Sequence, residues 1–411
     1  MNYAESAFDA ERLTMPEMLK EKGYTTAVIG KWHLGWDWDA IRKPDAKPIG
    51  DGRRKSWGPE AFDWSKPVPD GPLAHGFDMY FGDTVINFPP YAWIQDDRLV
   101  EAPDVIMKTG DFKTIKEGNW EFRPGPMISG WDPYENIPVT TQKGVEFLKA
   151  QKDVEDPFFL YFAYPSPHAP IIPNDEFDGK SKAGPYGDFV YETDDSIGRL
   201  LKALEESGKA DNTVVIFTAD NGPEKYAYAR DQKFEHWSAH PLRGLKRDVY
   251  EGGHRVPFLI KWPGVTKAGQ VSEALISQID LMATFASALG FDLPDDAAED
   301  SHDLLPLLKG EVDSVRDSHI HNTYEGQYAL RDGDWLLMDA KDGYRSGRNK
   351  DWEAKRGYPA DDDQPVELFN LKEDLVQKNN VAAEHPEKVQ AMQKKLNEIR
   401  ERGYSAPRLM R

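Results

Sequence analysis

Three short stretches of the chain are apolar throughout, stop abruptly, and hand over to a polar cluster. Residues 25–29 run into Gly30-Lys31-Trp32-His33-Leu34-Gly35. Residues 157–163, with Phe158, Phe159, Leu160, Tyr161 and Phe162, run into Pro165-Ser166-Pro167-His168-Ala169-Pro170. Residues 213–218, with Val214, Val215, Ile216 and Phe217, run into Ala219-Asp220-Asn221-Gly222. Short continuous apolar runs bounded by turn residues read as strands buried on both faces. Between them the period changes. Thr14-Met15-Pro16-Glu17 has capping-box spacing with Pro in the first turn, and Gly23 stops that helix. Residues 139–149 and 191–206 also read as helices, the latter with Ile197, Leu200, Leu201 and Leu204 at helical spacing. Helices alternating with apolar strands predict an α/β fold, a mostly parallel sheet between helices. Ligands of such sheets sit beyond the carboxyl ends of the strands, so Lys31 and His33, His168, and Asp220 with Asn221 are expected to converge on one rim.

Residues 36–134 are rich in Pro, Gly, Trp and Asp with little periodicity, and are expected to form an irregular excursion over that rim. After Gly290 the pattern shifts again. Residues 295–300 read as a solvated loop and 304–308 as a short helix ending at Gly310. Residues 318–324, 327–331 and 334–339 alternate, with Arg331-Asp332-Gly333-Asp334 suited to an antiparallel hairpin. A charged amphipathic helix over 386–402 closes the chain. The expected organisation is a body over residues 1–310 and a small C-terminal α+β subdomain, an antiparallel sheet plus helix, over 311–411.

Composition narrows the function. The 411 residues hold 51 Lys and Arg against 71 Asp and Glu, a formal charge of −20. That charge disfavours non-specific binding to nucleic acid or anionic lipid. There is no cysteine, which excludes disulfides, thiolate zinc sites and a cysteine nucleophile within these residues. No apolar run approaches the roughly 20 residues of a membrane span, so no membrane insertion is expected. Met1–Ser6 lacks the basic-then-apolar pattern of a signal peptide.

Each polar cluster has a bland alternative. Lys31 and His33 can simply end a strand, His168 can be a turn histidine, and Asp220-Asn221-Gly222 is ordinary turn composition, although its oxygens suit Ca²⁺ or Mg²⁺. Arg243, Lys246 and Arg247 place three cations in a Gly-punctuated loop ending in Glu251-Gly252-Gly253. His236 and His240 are four apart without the His-Glu-x-x-His order of a zinc protease. They read as surface-loop residues, with a substrate contact open to them. His319 with His321, and Asp194 with Asp195, read as structural. The excursion's Trp36, Trp38, Trp57, Trp64, Trp93, Trp120 and Trp131 can stack on sugar rings or anchor loops in the core.

Taken in order, the clusters closely resemble the type I, formylglycine-dependent, arylsulfatase-like sulfatases with the alkaline-phosphatase-like fold. The resemblance lies in Gly30–Gly35, Pro167-His168-Ala169-Pro170, Asp220-Asn221-Gly222, and Lys246 with Glu251-Gly252-Gly253. In the tail it lies in Ala329–Trp335 and Glu367–Leu371. It implies hydrolysis of sulfate esters, with sulfated carbohydrate the favoured class. Asp220 and Asn221 would bind Ca²⁺, Lys31 and Lys246 would hold sulfate oxygens, and His33 would assist sulfate release. His168 would contact the sulfate and protonate the leaving alcohol, while His240 would be a further substrate contact. A periplasmic or secreted location is implied if a preceding segment carries a signal.

The family also places two adjacent aspartates at the end of its first strand and a Cys/Ser-x-Pro/Ala-x-Arg motif whose first residue becomes formylglycine. Neither stands in this chain, which is expected to be the body of a sulfatase without its N-terminal segment, poorly soluble alone and without turnover. Two alternatives stay open: a non-catalytic binder of sulfated glycans, and a phosphate or phosphonate ester hydrolase of the same superfamily.

Overall fold

The computed structural model describes residues 7–9, 11–50, 55–108, 110–112, 116–118, 121–323, 326–360 and 364–407. They pack as two compact units, residues 1–212 and 213–411, so the boundary expected at Gly310 falls inside the second.

In chain order the first unit contains α1 (Met15–Glu21), β1 (Thr25–Gly30), β2 (Met79–Gly82), β3 (Ile94–Gln95), β4 (Arg98–Leu99), β5 (Val105–Met107), β6 (Gly125–Met127), α2 (Asn136–Ala150), β7 (Phe158–Ala163) and α3 (Pro185–Glu206). The capping box forms as its spacing requires: the Thr14 hydroxyl accepts from Glu17 N, and Thr14 N donates to the Glu17 carboxylate. Five strands join in the order β4-β3-β2-β1-β7. Strand β1 is parallel to β2 on one side and to β7 on the other, with Ile29 opposite Phe81 and Gly30 opposite Ala163. Thr26 and Asp78 lock the start of β2 to β1 through Thr26 N to Asp78 Oδ2 at 2.9 Å and Asp78 N to Thr26 O at 2.8 Å.

Two expectations change here. The 36–134 excursion is not wholly irregular, because it supplies β2, β3 and β4 to the main sheet. Its Trp36, Trp38, Trp57 and Trp131 are buried, and the first three share one core cluster with Val28, Phe62 and Tyr80. These rings anchor loops instead of presenting faces to sugars; Trp120 lies outside the described residues. The apolar run predicts that β7 is buried on both faces, yet among the described residues it is the edge strand and Tyr161 is 48% exposed. An apolar run reports burial only when a neighbour covers the strand.

The second unit contains β8 (Val215–Thr218), α4 (Tyr226–Phe234), α5 (Glu251–His254), β9 (Phe258–Lys261), α6 (Asp280–Leu289), α7 (Leu305–Lys309), β10 (Ser318–Asn322), β11 (Tyr328–Asp332), β12 (Trp335–Met338), α8 (Lys350–Arg356), β13 (Glu367–Asn370) and α9 (Pro386–Arg402). Strand β8 pairs antiparallel with β9, with Phe217 and Leu259 exposed, where the apolar pattern anticipated a buried parallel strand. Strands β10 to β13 form an antiparallel sheet in sequence order. Gly333, at φ +55°, begins the two-residue β11–β12 turn. Helix α9 covers this sheet through Met392 and Leu396, which pack with Leu330, Leu337 and Leu368. The mixed sheet with its helices and the C-terminal antiparallel sheet is the anticipated α/β fold. Among the described residues no helix is long and apolar enough to cross a membrane.

Candidate active site

In the first unit the carboxyl ends of β1, β2 and β7 lie side by side, because all three run parallel. Lys31 leaves β1 with its N–H on Ala163 O at 2.8 Å, and Trp32 N donates to Thr84 O just past β2 at 3.0 Å. Lys31 is half-buried and His33 exposed, the His33 ring 5.4 Å from that of Phe88. The Arg123 guanidinium lies 3.9 Å over Phe88.

At the end of β7 the chain turns through Pro165, whose carbonyl accepts from His168 N at 3.1 Å. Hydroxyl pairs brace this turn: Ser166 with Thr193 at 2.6 Å, and Tyr164 with Ser196 at 2.7 Å. His168 Nδ1 lies 2.5 Å from Ala169 O. A carbonyl can only accept, so Nδ1 carries the proton and the neutral ring keeps its lone pair on Nε2. The strand-end grammar therefore brings Lys31, His33 and the His168 turn to one edge of one sheet.

That edge holds a group the sequence pattern did not single out. Asp83 directly follows β2 and is 2% exposed. Its Oδ2 accepts from Asn136 Nδ2 at 2.8 Å, while its Oδ1 is buried without a hydrogen-bond partner among the described residues. Burial pushes its carboxyl up to about 7, against the pull of its own backbone N–H, the Lys31 charge and the Asn136 amide. A signal existed, since Met79-Tyr80-Phe81-Gly82 followed by Asp repeats the apolar-run-then-polar grammar. It was obscured by four-residue length inside a Pro- and Gly-rich stretch. Arg123 and Asn136 carried no comparable signal.

The second unit holds the other candidates. Asp220 is exposed and Asn221 half-buried at the carboxyl end of β8. Gly222 N donates to Gly253 O at 2.9 Å, and a Cβ at Gly222 would stand 1.8 Å from Gly252 O. The glycines of Asp220-Asn221-Gly222 and Glu251-Gly252-Gly253 thus let two backbones touch, with Lys246 N on Pro223 O at 2.8 Å closing the arrangement. Lys246 stands half-buried beside the Asp220 loop.

Its two neighbours in the cation cluster prove structural. Arg243 is buried, donating to Tyr344 Oη, Gln377 O and Glu353 Oε1, each at 2.9 Å, with Tyr250 and Tyr358 against its plane. Arg247 makes two bonds to Glu224 at 2.6 and 2.7 Å. Burial pushes the Glu224 carboxyl up, but the Arg247 contacts outweigh it and leave the group below its ordinary range. Glu251 is buried against Arg255 at 3.2 Å and Arg331 at 3.6 Å.

His240 is exposed, and burial holds the half-buried His236 below its ordinary value. His319 and His321 share a strand face with ring centroids 6.1 Å apart, and burial pushes His319 down to about 3. Asp194 and Asp195 lie within α3.

For a metal, Asp220 and Asn221 offer two hard oxygen donors; Asn221 Nδ2 is committed to Gly222 O at 2.9 Å, leaving Oδ1 to accept. Ca²⁺ takes roughly six to eight oxygens. Among the described residues no group of three or more His, Cys, Asp or Glu is placed to hold a metal ion. The residues present therefore do not by themselves compose the expected Ca²⁺ site.

The family model for sulfatases matches residues 3–291, and that for the C-terminal part of N-sulphoglucosamine sulphohydrolase matches residues 245–402. The chain belongs to the sulfatase family. This sulfatase is 30% identical to the N-acetylgalactosamine-6-O-sulfatase of Bacteroides thetaiotaomicron over 97% of its own length and 79% of that protein. It is 34% identical to the human N-acetylgalactosamine-6-sulfatase, matching 74% of its own length and 50% of the human protein. It thus spans about half the length of the mammalian relatives it matches. A solved structure described as a 6S-sulf of glycosaminoglycan metabolism by Bacteroides thetaiotaomicron superposes with a TM-score of 0.77 at 27% identity, covering 97% of this chain and 84% of that one. A Pseudoalteromonas sp. sulfatase shares the fold at a TM-score of 0.69 and 21% identity, covering 99% and 77%. Family and fold are as the motifs implied.

Proposed function

We propose that this sulfatase chain recognises sulfate esters of carbohydrate for hydrolysis, and that its substrate is 6-sulfated N-acetylgalactosamine within a glycosaminoglycan. The observation that carries the reading is the Lys31 cation at the end of β1 beside the His168 turn at the end of β7, in register through Gly30 and Ala163. The names of the similar bacterial and mammalian proteins support the choice of sugar and position. Residues 1–310 would form the catalytic body and residues 311–411 its α+β companion.

In this reading Lys31 and Lys246 are fixed cations for sulfate oxygens, worth more as water leaves the site. His168, with Nδ1–H held by Ala169 O, donates from Nε2 to the leaving alcohol oxygen when the ring is protonated. His33 works beside Lys31, and His240 is a candidate sugar contact. In the family, hydrated formylglycine supplies attack on sulfur and Ca²⁺ supplies charge. Asp220 and Asn221 would contribute two oxygens to that ion.

Calorimetric titration of the chain with N-acetylgalactosamine 6-sulfate, the 4-sulfate and the 6-phosphate tests the reading. Tighter binding of the 6-sulfate, weakened at least about tenfold by K31A, is expected. Preference for the 6-phosphate would favour the phosphate-ester alternative, and equal binding of all three would overturn the substrate. Binding without turnover, the outcome expected of these 411 residues, is read in the same samples by released sulfate. A longer chain carrying the nucleophile motif that still released none would leave the glycan-binding alternative.

A further inference from the structure

We infer that Asp83 is a positioning residue for Lys31, whose carboxylate offsets the lysine's charge toward a bound anion and whose protonation releases that charge to it. The inference rests on Lys31 holding sulfate, as proposed above.

Parallel pairing of β1 with β2 sets Ile29 opposite Phe81, so the next positions outward bring Gly30 to Gly82 and Lys31 toward Asp83. The two strand ends are tied together. The Tyr80 hydroxyl lies 2.6 Å from Asp83 O and 3.0 Å from Gly30 O, and a Cβ at Gly82 would stand 2.0 Å from Gly30 O. Neither end can move away from the other without breaking these contacts.

A carboxylate confined there is costly unless a cation or donors answer it. Asn136 of α2 answers one oxygen, and the other has no hydrogen-bond partner among the described residues. The groups facing Asp83 are Lys31 from the end of β1, Tyr80 from β2, Tyr91 from the loop after β2, and Asn136. Arg123 stands behind Tyr91 and acts on it. Burial raises both phenols far above their ordinary range, so among these four facing groups Lys31 carries the charge. Ionised Asp83 therefore draws on the lysine that the site needs for sulfate, and neutral Asp83 does not. The changeover falls near neutral pH, and the anion is held more tightly on its acid side.

Two readouts test this on the full chain. The first is acylation of the Lys31 amine by an N-hydroxysuccinimide acetate, followed by peptide mass spectrometry. D83N removes the stabilising negative charge, so Lys31 is expected to react three- to tenfold faster than in the parent at pH 8, with the rates converging at pH 6. The second is affinity for N-acetylgalactosamine 6-sulfate. It should fall several-fold in the parent from pH 6 to pH 8 and stay level in D83N. Equal Lys31 reactivity in parent and D83N at both pH values overturns the inference.

Altered reactivity with no sugar bound by either chain would sustain the pairing and overturn the proposed function instead. Should D83N fail to fold, K31M serves. The pH range over which the chain loses stability should then extend upward, because Asp83 has lost its cation, and an unchanged range overturns the inference.

Discussion

The two lysines proposed to hold sulfate sit in contrasting surroundings. Lys246 belongs to a loop whose other cations are already spent: Arg243 inside an aromatic cage on Glu353, and Arg247 on Glu224. Lys31 stands at the carboxyl end of β1 beside a buried carboxyl, one oxygen of which has no hydrogen-bond partner among the described residues. In the second unit Glu353 and Glu224 bind the arginines directly, and Lys246 adds only its field to Glu224, whereas in the first the buried carboxyl of Asp83 has Lys31 as its cation. A cluster of cations in a sequence thus says little about how much positive charge a ligand meets. Burial and partners decide that.

R243M tests this contrast most severely. It would leave Glu353 buried without one of its cations and empty the cage between Tyr250, Tyr344 and Tyr358. A loss of about 3–5 kcal/mol in unfolding free energy is expected, read by denaturant melts. K246M, one turn of loop away, should leave the melt nearly unchanged while weakening sulfate binding. Equal losses from the two would erase the distinction.

Next in size is the pH dependence from Asp83. Its folded value near 7 stands above the ordinary 3.8. Its contribution is therefore fully present below about pH 4, is lost as pH rises toward about 7, and is flat beyond. D83N should match the parent at pH 4 and exceed it at pH 8 by on the order of 4 kcal/mol. Thermal melts at both pH values check this, and parallel curves would show that the carboxyl does not titrate where its burial places it.

The smallest effect belongs to R247A. Its side chain is 30% exposed, so loss of the Glu224 pair should cost only about 0.5–1 kcal/mol after solvent screening. A loss approaching that of R243M would mean that the two arginines are equally structural.

Much of this was legible before any coordinates. Thr14-Met15-Pro16-Glu17 names its own helix start, because capping is satisfied within four residues. The β1 and β7 runs and the closing α9 helix read correctly because their periodicity is local. Asp83 was not legible, since its importance comes from lying beside Lys31 across a strand pair whose partners are 52 residues apart in sequence. The Trp-rich excursion likewise left sugar stacking and loop anchoring open, and only packing around Val28 and Tyr80 decided for the core. Strand β7 misled because an apolar run cannot report which of its faces will be covered.

The family and the residue types at the strand ends are legible in the amino-acid order, because the glycines and polar groups that close backbone approach requires stand at fixed spacing. The strands' partners, the arginines held by buried acids, and the carboxyl that stands against Lys31 were decided by tertiary structure alone. Those depend on contacts between segments far apart in the chain, and the charge a side chain offers depends on how much water and how many partners the fold leaves it.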